Sequence, residues 1–376
     1  THGHDCRAFD NPAMAALRWD IFGRVIDNYG DVGVCWRLAA QLAARGDAVR
    51  LVLDDSSALA WMAPRGCPGV EVLPWPRPSG APGPAGSPLP ARLSTPGDVV
   101  IEAFGCDPPP AFVAAMRRAT PPPVWINLEY LSAEDWVERS HGLPSPQPDG
   151  QTKWFFFPGF TPRTGGVLRE DGLAAERAAF ERAPWLAARG AAPRPGERVV
   201  SLFCYANDAL PALLDDLGRT PTLVLLTPGP AQAQVDALRR APGLRTLRLP
   251  WLEQGEYDRL LWSSDLNFVR GEDSLVRAIW AGPPFVWQAY PQADGAHHAK
   301  VEALLGHIAL PREAAARVRA WNGCAPWPGL GALSNWVGWK AALERWRAGL
   351  LRQTDLATQL RRFALSKGET PGFSRG

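Results

Sequence analysis

Apolar positions along this chain alternate between two periods. Residues 19–26, WDIFGRVI, form a run of apolar and β-branched side chains, the pattern of a buried strand. Val34, Cys35, Leu38, Ala39, Leu42 and Ala43 then recur at helical spacing, and Gly46 supplies a C-terminal stop. Residues 48–55, AVRLVLDD, return to the strand pattern. Strand, helix and strand in that order predict a βαβ unit, hence a parallel sheet covered by helices. Strand-like runs follow at 70–75, 98–105, 123–132 and 153–160.

Residues 184–198, PWLAARGAAPRPGER, lose this periodicity and read as a linker. A second alternating series then predicts strands at 198–207, 222–228, 244–252, 265–270 and 284–291. Helical patterns occupy 255–264, 273–282, 295–308, 331–349 and 352–366. The chain therefore reads as α/β, with two Rossmann-like domains and a cleft between them as the default ligand site. Its 376 residues suit two cores better than one. Residues 76–97, dense in proline, glycine and serine, read as a mobile surface loop. Residues 1–18 lack the apolar segment of a signal peptide and read as a disordered extension.

Composition narrows the function. A net charge of +2 gives no broad electrostatic grip on nucleic acid. The 6 cysteines are scattered without a CxxC pair, which suits buried thiols in a reducing cytoplasm. No apolar run is long enough to span a bilayer. His297 and His298 have no carboxylate at ligand spacing, and no metal site is expected.

Two glycine turns carry candidate chemistry. In DLNFVRGEDSLVRAIWAG (265–282) a buried strand ends at Arg270, Gly271 turns the chain, and Glu272, Asp273 and Ser274 open a helix. Free amides at such a helix start favour an anion, and the Arg270 fork suits phosphate. The plainer reading makes Asp273 or Ser274 an N-cap and pairs Arg270 with Glu272. In DNYGDVG (27–33), Asp27 and Asp31 flank Asn28, Tyr29 and Gly30. Two carboxylates beside a turn can act as base and orienter, or Asp31 can simply cap the helix. Asp54 and Asp55 end the second strand where a dinucleotide fold keeps its ribose-binding acid, so an NAD-dependent enzyme competes, although GxGxxG is incomplete. Phe203 and Tyr205, with Trp251, Leu252 and Gln254 after a later strand, offer aromatic planes and an amide suited to a pyrimidine base, or else core.

The stretches DNYGDVGVCWRLAAQLAARG, SLFCYAN and DRLLWSSDLNFVRGEDSLVRAIWAGPPFVWQAYPQADGAHHAKVEALL together resemble the bacterial protein-arginine rhamnosyltransferases that modify elongation factor P. The resemblance runs from about Trp19 to near the C-terminus. It implies a GT-B fold, an inverting transfer without metal or cofactor, and dTDP-β-L-rhamnose as donor. It also implies an arginine at a loop tip of elongation factor P as acceptor, in support of translation through proline runs. On this resemblance residues 19–185 form an acceptor-binding domain and residues 198–350 a nucleotide-sugar domain, with 351–376 a C-terminal helix crossing back. Asp31 matches the general base, and Asp27 and Glu272 match further essential carboxylates. Tyr205, Phe203, Trp251, Leu252, Gln254, Arg270, Asp273 and Ser274 match the donor side; Asn28, Tyr29 and Gly30 match the acceptor side. The implied partners are elongation factor P and the sugar nucleotide, with no direct nucleic acid and no membrane. Other readings remain: a nucleotide-sugar-modifying Rossmann enzyme, a GT-B transferase with another acceptor, and a tryptophan-rich binding module.

Overall fold

The computed structural model describes residues 16–25, 29–75, 91–238, 242–331 and 336–368. Its first half is built on β1 (Arg18–Gly23), β2 (Ala48–Leu53), β3 (Val70–Pro74), β4 (Val99–Ala103), β5 (Val124–Leu128), β6 (Pro144–Pro146) and β7 (Thr152–Phe156). These form a sheet in the order β3-β2-β1-β4-β5-β7-β6, parallel apart from β6 against β7. The central strands are buried on both faces, as their unbroken apolar runs require. β6 carries two prolines, which lack the N–H a central strand must donate, and it sits at the edge.

The second half holds β8 (Arg198–Leu202), β9 (Thr222–Leu226), β10 (Leu244–Arg248), β11 (Leu266–Arg270) and β12 (Phe285–Gln288), all parallel, in the order β10-β9-β8-β11-β12. Both sheets reverse their strand order at one internal point, between β1 and β4 and between β8 and β11. Ligands of open parallel sheets bind beyond the strand ends at such a point. Here two of these crevices face one another. The helices Gly30–Ala44 and Gly271–Ala281, each following a strand at a reversal, pack together between the halves. One apolar cluster, from Trp19 and Leu38 to Leu275 and Ile279, runs through both.

Arg18 already pairs in β1, so residue 18 of the expected extension belongs to the sheet, and Leu17 beside it is tied down by its N–H on Asp47 Oδ1 at 3.0 Å. Residues 1–15 and 76–90 lie outside the described residues. At the tail of the expected surface loop, Leu93 is buried in a short 3-10 turn, Ala91–Leu93. Before Arg198 the chain is less linker-like than its composition suggests. Arg182–Ala187 is a helix, and Trp185 and Leu186 pack with Val199 and Leu223 of the second half. The helix Leu356–Gly368 lies on β5 and on Gly30–Ala44, with Arg361 Nε 3.1 Å from Asp47. Among the described residues no helix is long and apolar enough to cross a membrane.

Candidate active site

A cavity of about 1030 Å³ opens between the halves beyond the strand ends. Tyr29, Gly30, Asp31, Phe203, Tyr205, Trp251, Leu252, Gln254, Arg270, Glu272, Asp273 and Ser274 all line it. Asp27 and Asn28 lie outside the described residues. The two glycine turns, 240 residues apart by the interval from Asp31 to Gly271, therefore share one space.

The first turn starts the Gly30–Ala44 helix without a side-chain cap, so Asp31 is not that helix's N-cap. Asp31 Oδ2 instead accepts the Tyr130 hydroxyl at 3.3 Å. Burial, then the Asp31 charge, holds the Tyr130 phenol well above its ordinary pKa, so it remains a donor. Tyr130 is stacked on Phe104, with ring centres 4.2 Å apart and planes 12° from parallel.

The second turn is bound on several sides. Gly271 has φ +66°, a left-handed conformation that favours glycine. The Arg270 N–H donates to Ser274 Oγ at 3.0 Å, and that hydroxyl donates back to Arg270 O. The Arg270 guanidinium donates to Cys204 O at 3.1 Å and lies over the Phe203 and Tyr205 rings, 4.3 Å and 4.5 Å from their centres. Arg270 thus points along the β8 end and does not bridge to Glu272. Burial, with the Asp31 and Asp273 charges adding, pushes the Glu272 carboxyl up to about 8; the Leu131 N–H and Lys300 oppose this. The acid form of Glu272 is thereby favoured beside Asp31.

Asp273 lines the cavity but is not the helix's N-cap. Its Oδ1 lies 3.0 Å from Arg37 Nε, at the heart of a charge cluster joining the halves. Arg277 donates to Asp258 at 2.7 Å and 2.8 Å and to Glu170 at 2.6 Å. Arg37 reaches Asp258 and Glu170 at 3.3 Å each. Burial pushes the Glu170 carboxyl up, but Arg277 and Arg37 overcome it and hold it down at about 2.

The expected base pocket is also drawn into this junction. Gln254 donates its amide to Gly33 O at 3.0 Å, across to the first half. The Trp251 ring, 47% exposed, lies 4.4 Å from Trp61 and 6.3 Å from Tyr29. Leu252 packs at the edge of the second-half core, and Phe203 meets Tyr257 edge-on at 5.8 Å. Asp54 accepts the Val25 N–H at 2.9 Å and so ties the end of β2 to the loop after β1; Asp55 accepts the Ser57 N–H at 2.9 Å in its own turn and lines the cavity.

Tyr130, Trp61, Lys300 and the Arg37–Arg277 cluster escaped the sequence reading. For Tyr130 a signal existed: it stands two residues beyond a buried parallel strand, where ligands bind. For Arg37 the signal was a charged residue inside an otherwise apolar helical stripe, flanked by Trp36 and Leu38.

Residues 19–365 match the family model described as elongation factor P (EF-P) rhamnosyltransferase EarP. The chain is 44% identical over 375 residues to a protein-arginine rhamnosyltransferase of Pseudomonas putida, covering 92% of this chain and 98% of that protein. The Pseudomonas aeruginosa protein of the same description is 44% identical over 370 residues, covering 90% and 94%. Among solved structures, one described as the structural basis for EarP-mediated arginine glycosylation of translation elongation factor EF-P superposes with TM-score 0.63 at 31% identity, over 93% of this chain and 99% of that one. A spinosyn rhamnosyltransferase complexed with thymidine diphosphate shares only the GT-B fold, at TM-score 0.51 and 13% identity, over 92% and 99%. These likenesses set aside the NAD-dependent and non-catalytic readings. The chain is a GT-B glycosyltransferase that transfers rhamnose to arginine, and it belongs to the EarP family of elongation factor P rhamnosyltransferases.

Proposed function

We propose that this enzyme transfers L-rhamnose from dTDP-β-L-rhamnose to one arginine of elongation factor P in the cytoplasm, with inversion and without a metal or cofactor. One observation supports this reading above the others. Asp31 from the first half, and Glu272 and Arg270 from the second, line the same cavity. A base and an anion site from opposite halves are what a single displacement needs.

An arginine guanidinium is a weak nucleophile, since its pKa exceeds about 12 and its lone pairs are delocalised. Asp31 takes a proton as the guanidinium nitrogen bonds to the anomeric carbon. The bond from that carbon to the diphosphate oxygen breaks on the opposite face, and the configuration inverts. Asp27, four residues before Asp31, orients the acceptor with it through a bidentate grip. General-base help is worth about 10²–10⁴-fold, and positioning adds to it. The leaving dTDP gains charge as the sugar departs. Arg270 and the first amides of the Gly271–Ala281 helix stabilise that charge, in place of the divalent metal of other transferases. Protonated Glu272 donates a hydrogen bond to the sugar or the acceptor. Phe203, Trp251, Leu252 and Tyr205 surround the nucleotide.

The test is the intact mass of elongation factor P after incubation with the enzyme and dTDP-β-L-rhamnose, with Asp31→Asn alongside. A gain of one deoxyhexose that the variant fails to produce, while still binding dTDP, is the expected outcome. No gain with wild-type enzyme that binds dTDP would overturn the acceptor or the sugar; equal transfer by Asp31→Asn would remove Asp31 as base.

A further inference from the structure

The segment after β5 runs along the cavity wall between the two halves. Tyr130 donates its hydroxyl to Asp31 at 3.3 Å, and Tyr130 and the next residue, Leu131, line the cavity together with Glu272.

This segment is anchored on either side. The Glu129 N–H bonds Phe156 O at 2.9 Å, and the Ser132 N–H bonds Pro158 O at 3.3 Å. The Glu129 carboxylate accepts the Asn127 amide at 2.6 Å, and Asn127 Oδ1 accepts the Gly105 N–H at 3.2 Å. The ring is fixed as well. Phe104 lies flat against Tyr130, and its own backbone stands at φ +58° with its N–H on Leu128 O at 2.7 Å. A left-handed aromatic residue is a costly conformation, kept only where its surroundings enforce it. Here it sets the Phe104 ring under Tyr130. Tyr130 remains 42% exposed at the cavity wall, an unusual place for so constrained an aromatic.

We propose that Tyr130 is a positioning residue for the transfer: its hydroxyl, held in place by the pinned segment and the Phe104 ring, orients the Asp31 carboxylate towards the cavity. The proposal rests on Asp31 being the base. A donated hydrogen bond stabilises the carboxylate over the acid, so the hydroxyl also tunes the pH at which Asp31 can accept a proton.

Tyr130→Phe keeps the ring and its stacking and removes only the hydroxyl. The expected result is a fall in kcat of roughly 10–100-fold, the worth of one hydrogen bond to a charged group, with dTDP affinity and melting temperature unchanged. The acidic limb of the pH–rate profile should move to higher pH, because Asp31 loses a group that favours its ionised form. In the Asp31→Asn background the same change should cost nothing further, since Tyr130 acts through Asp31. An unchanged kcat and pH profile would overturn the proposal, as would a loss that simply multiplies with that of Asp31→Asn. The base assignment is judged apart: if Asp31→Asn itself keeps full transfer, that assignment fails and the proposal with it. If Asp31→Asn is inactive while Tyr130→Phe is normal, only the positioning role falls.

Discussion

At Gly30 and again at Gly271 a helix begins beside the cleft, each following a strand at a reversal of strand order, yet the two starts are held in opposite ways. The second is closed on itself: Ser274 grips the Arg270 backbone, Arg270 is seated on Cys204 O and two rings, and Asp273 is tied to Arg37. The first is held from outside its own turn, where Asp31 accepts the Tyr130 hydroxyl at 3.3 Å. The difference fits the two tasks proposed for them. A diphosphate is small and highly charged, so a receptor built in advance gives up little freedom on binding. A protein side chain is larger and brings part of its own site, so its receptor is shaped by residues from several segments. The turns are also joined. Arg37, from the helix of the first, is the partner of Asp273 in the second, and Gln254 bonds Gly33.

The sharpest way to break this arrangement is at the joint. Asp258 is buried and accepts from both Arg37 and Arg277. Asp258→Ala leaves two buried guanidinium groups short of a partner and should cost roughly 3–5 kcal/mol. Urea unfolding measures it. A loss below about 1 kcal/mol would mean that the charges reach water easily and that the halves are not fixed by this cluster.

The next change separates the turns. Arg270→Ala should weaken dTDP binding by about 10–100-fold, the scale of hydrogen bonds to a charged group, without altering affinity for the acceptor protein. Calorimetric titration with each ligand distinguishes them. Unchanged dTDP affinity would take Arg270 out of the anion site, and the contrast between the two turns would lose its function.

A pH experiment sharpens the comparison further. The folded Glu272 carboxyl sits at about 8 against an ordinary value of 4.5. Between those two values the folded protein binds a proton that the unfolded chain has released, so this group's contribution to stability falls as pH rises through that window. The slope is at most about 1.4 kcal/mol per pH unit. Glu272→Gln should remove that part of the slope, read as the difference between the two proteins' unfolding free energies from pH 5 to 8. Parallel curves would show that Glu272 is ionised throughout.

The backbone plan was legible in the sequence because parallel strands buried on both faces leave unbroken apolar runs. The Gly271 turn was legible because a strand, a glycine and three polar residues occur consecutively. Helices such as Pro110–Arg118 and Arg312–Trp321 were not, since they are short and rich in alanine and arginine, so that few large apolar side chains mark their buried faces. The site was legible where its residues are neighbours in sequence. What escaped was formed by distance: Arg37 meets Asp258 across 221 positions, and Tyr130 meets Asp31 across 99. Local periodicity carries no trace of such pairs. Even a residue that lines the cavity as expected can have atoms engaged elsewhere, as with the Gln254 amide on Gly33 O and the Asp273 carboxylate on Arg37.

Ser274 gives the smallest effect and the finest distinction. By position it stands beside the expected diphosphate, and a direct ligand lost there would weaken dTDP binding. By geometry its hydroxyl both accepts from and donates to Arg270, four residues back, which closes the turn onto the strand end. Ser274→Ala should therefore cost about 1 kcal/mol of stability, the net worth of one hydrogen bond, and lower the melting temperature by about 2–4 °C. Affinity for dTDP should change by less than about threefold, because Arg270 keeps its seat on Cys204 O and the two rings. Thermal melting and calorimetry on the same preparation decide the matter. A large loss of affinity with an unchanged melting temperature would show that the hydroxyl turns to the ligand when it binds. The second turn would then be adaptable, and its contrast with the first would reduce to the charge of Arg270 alone.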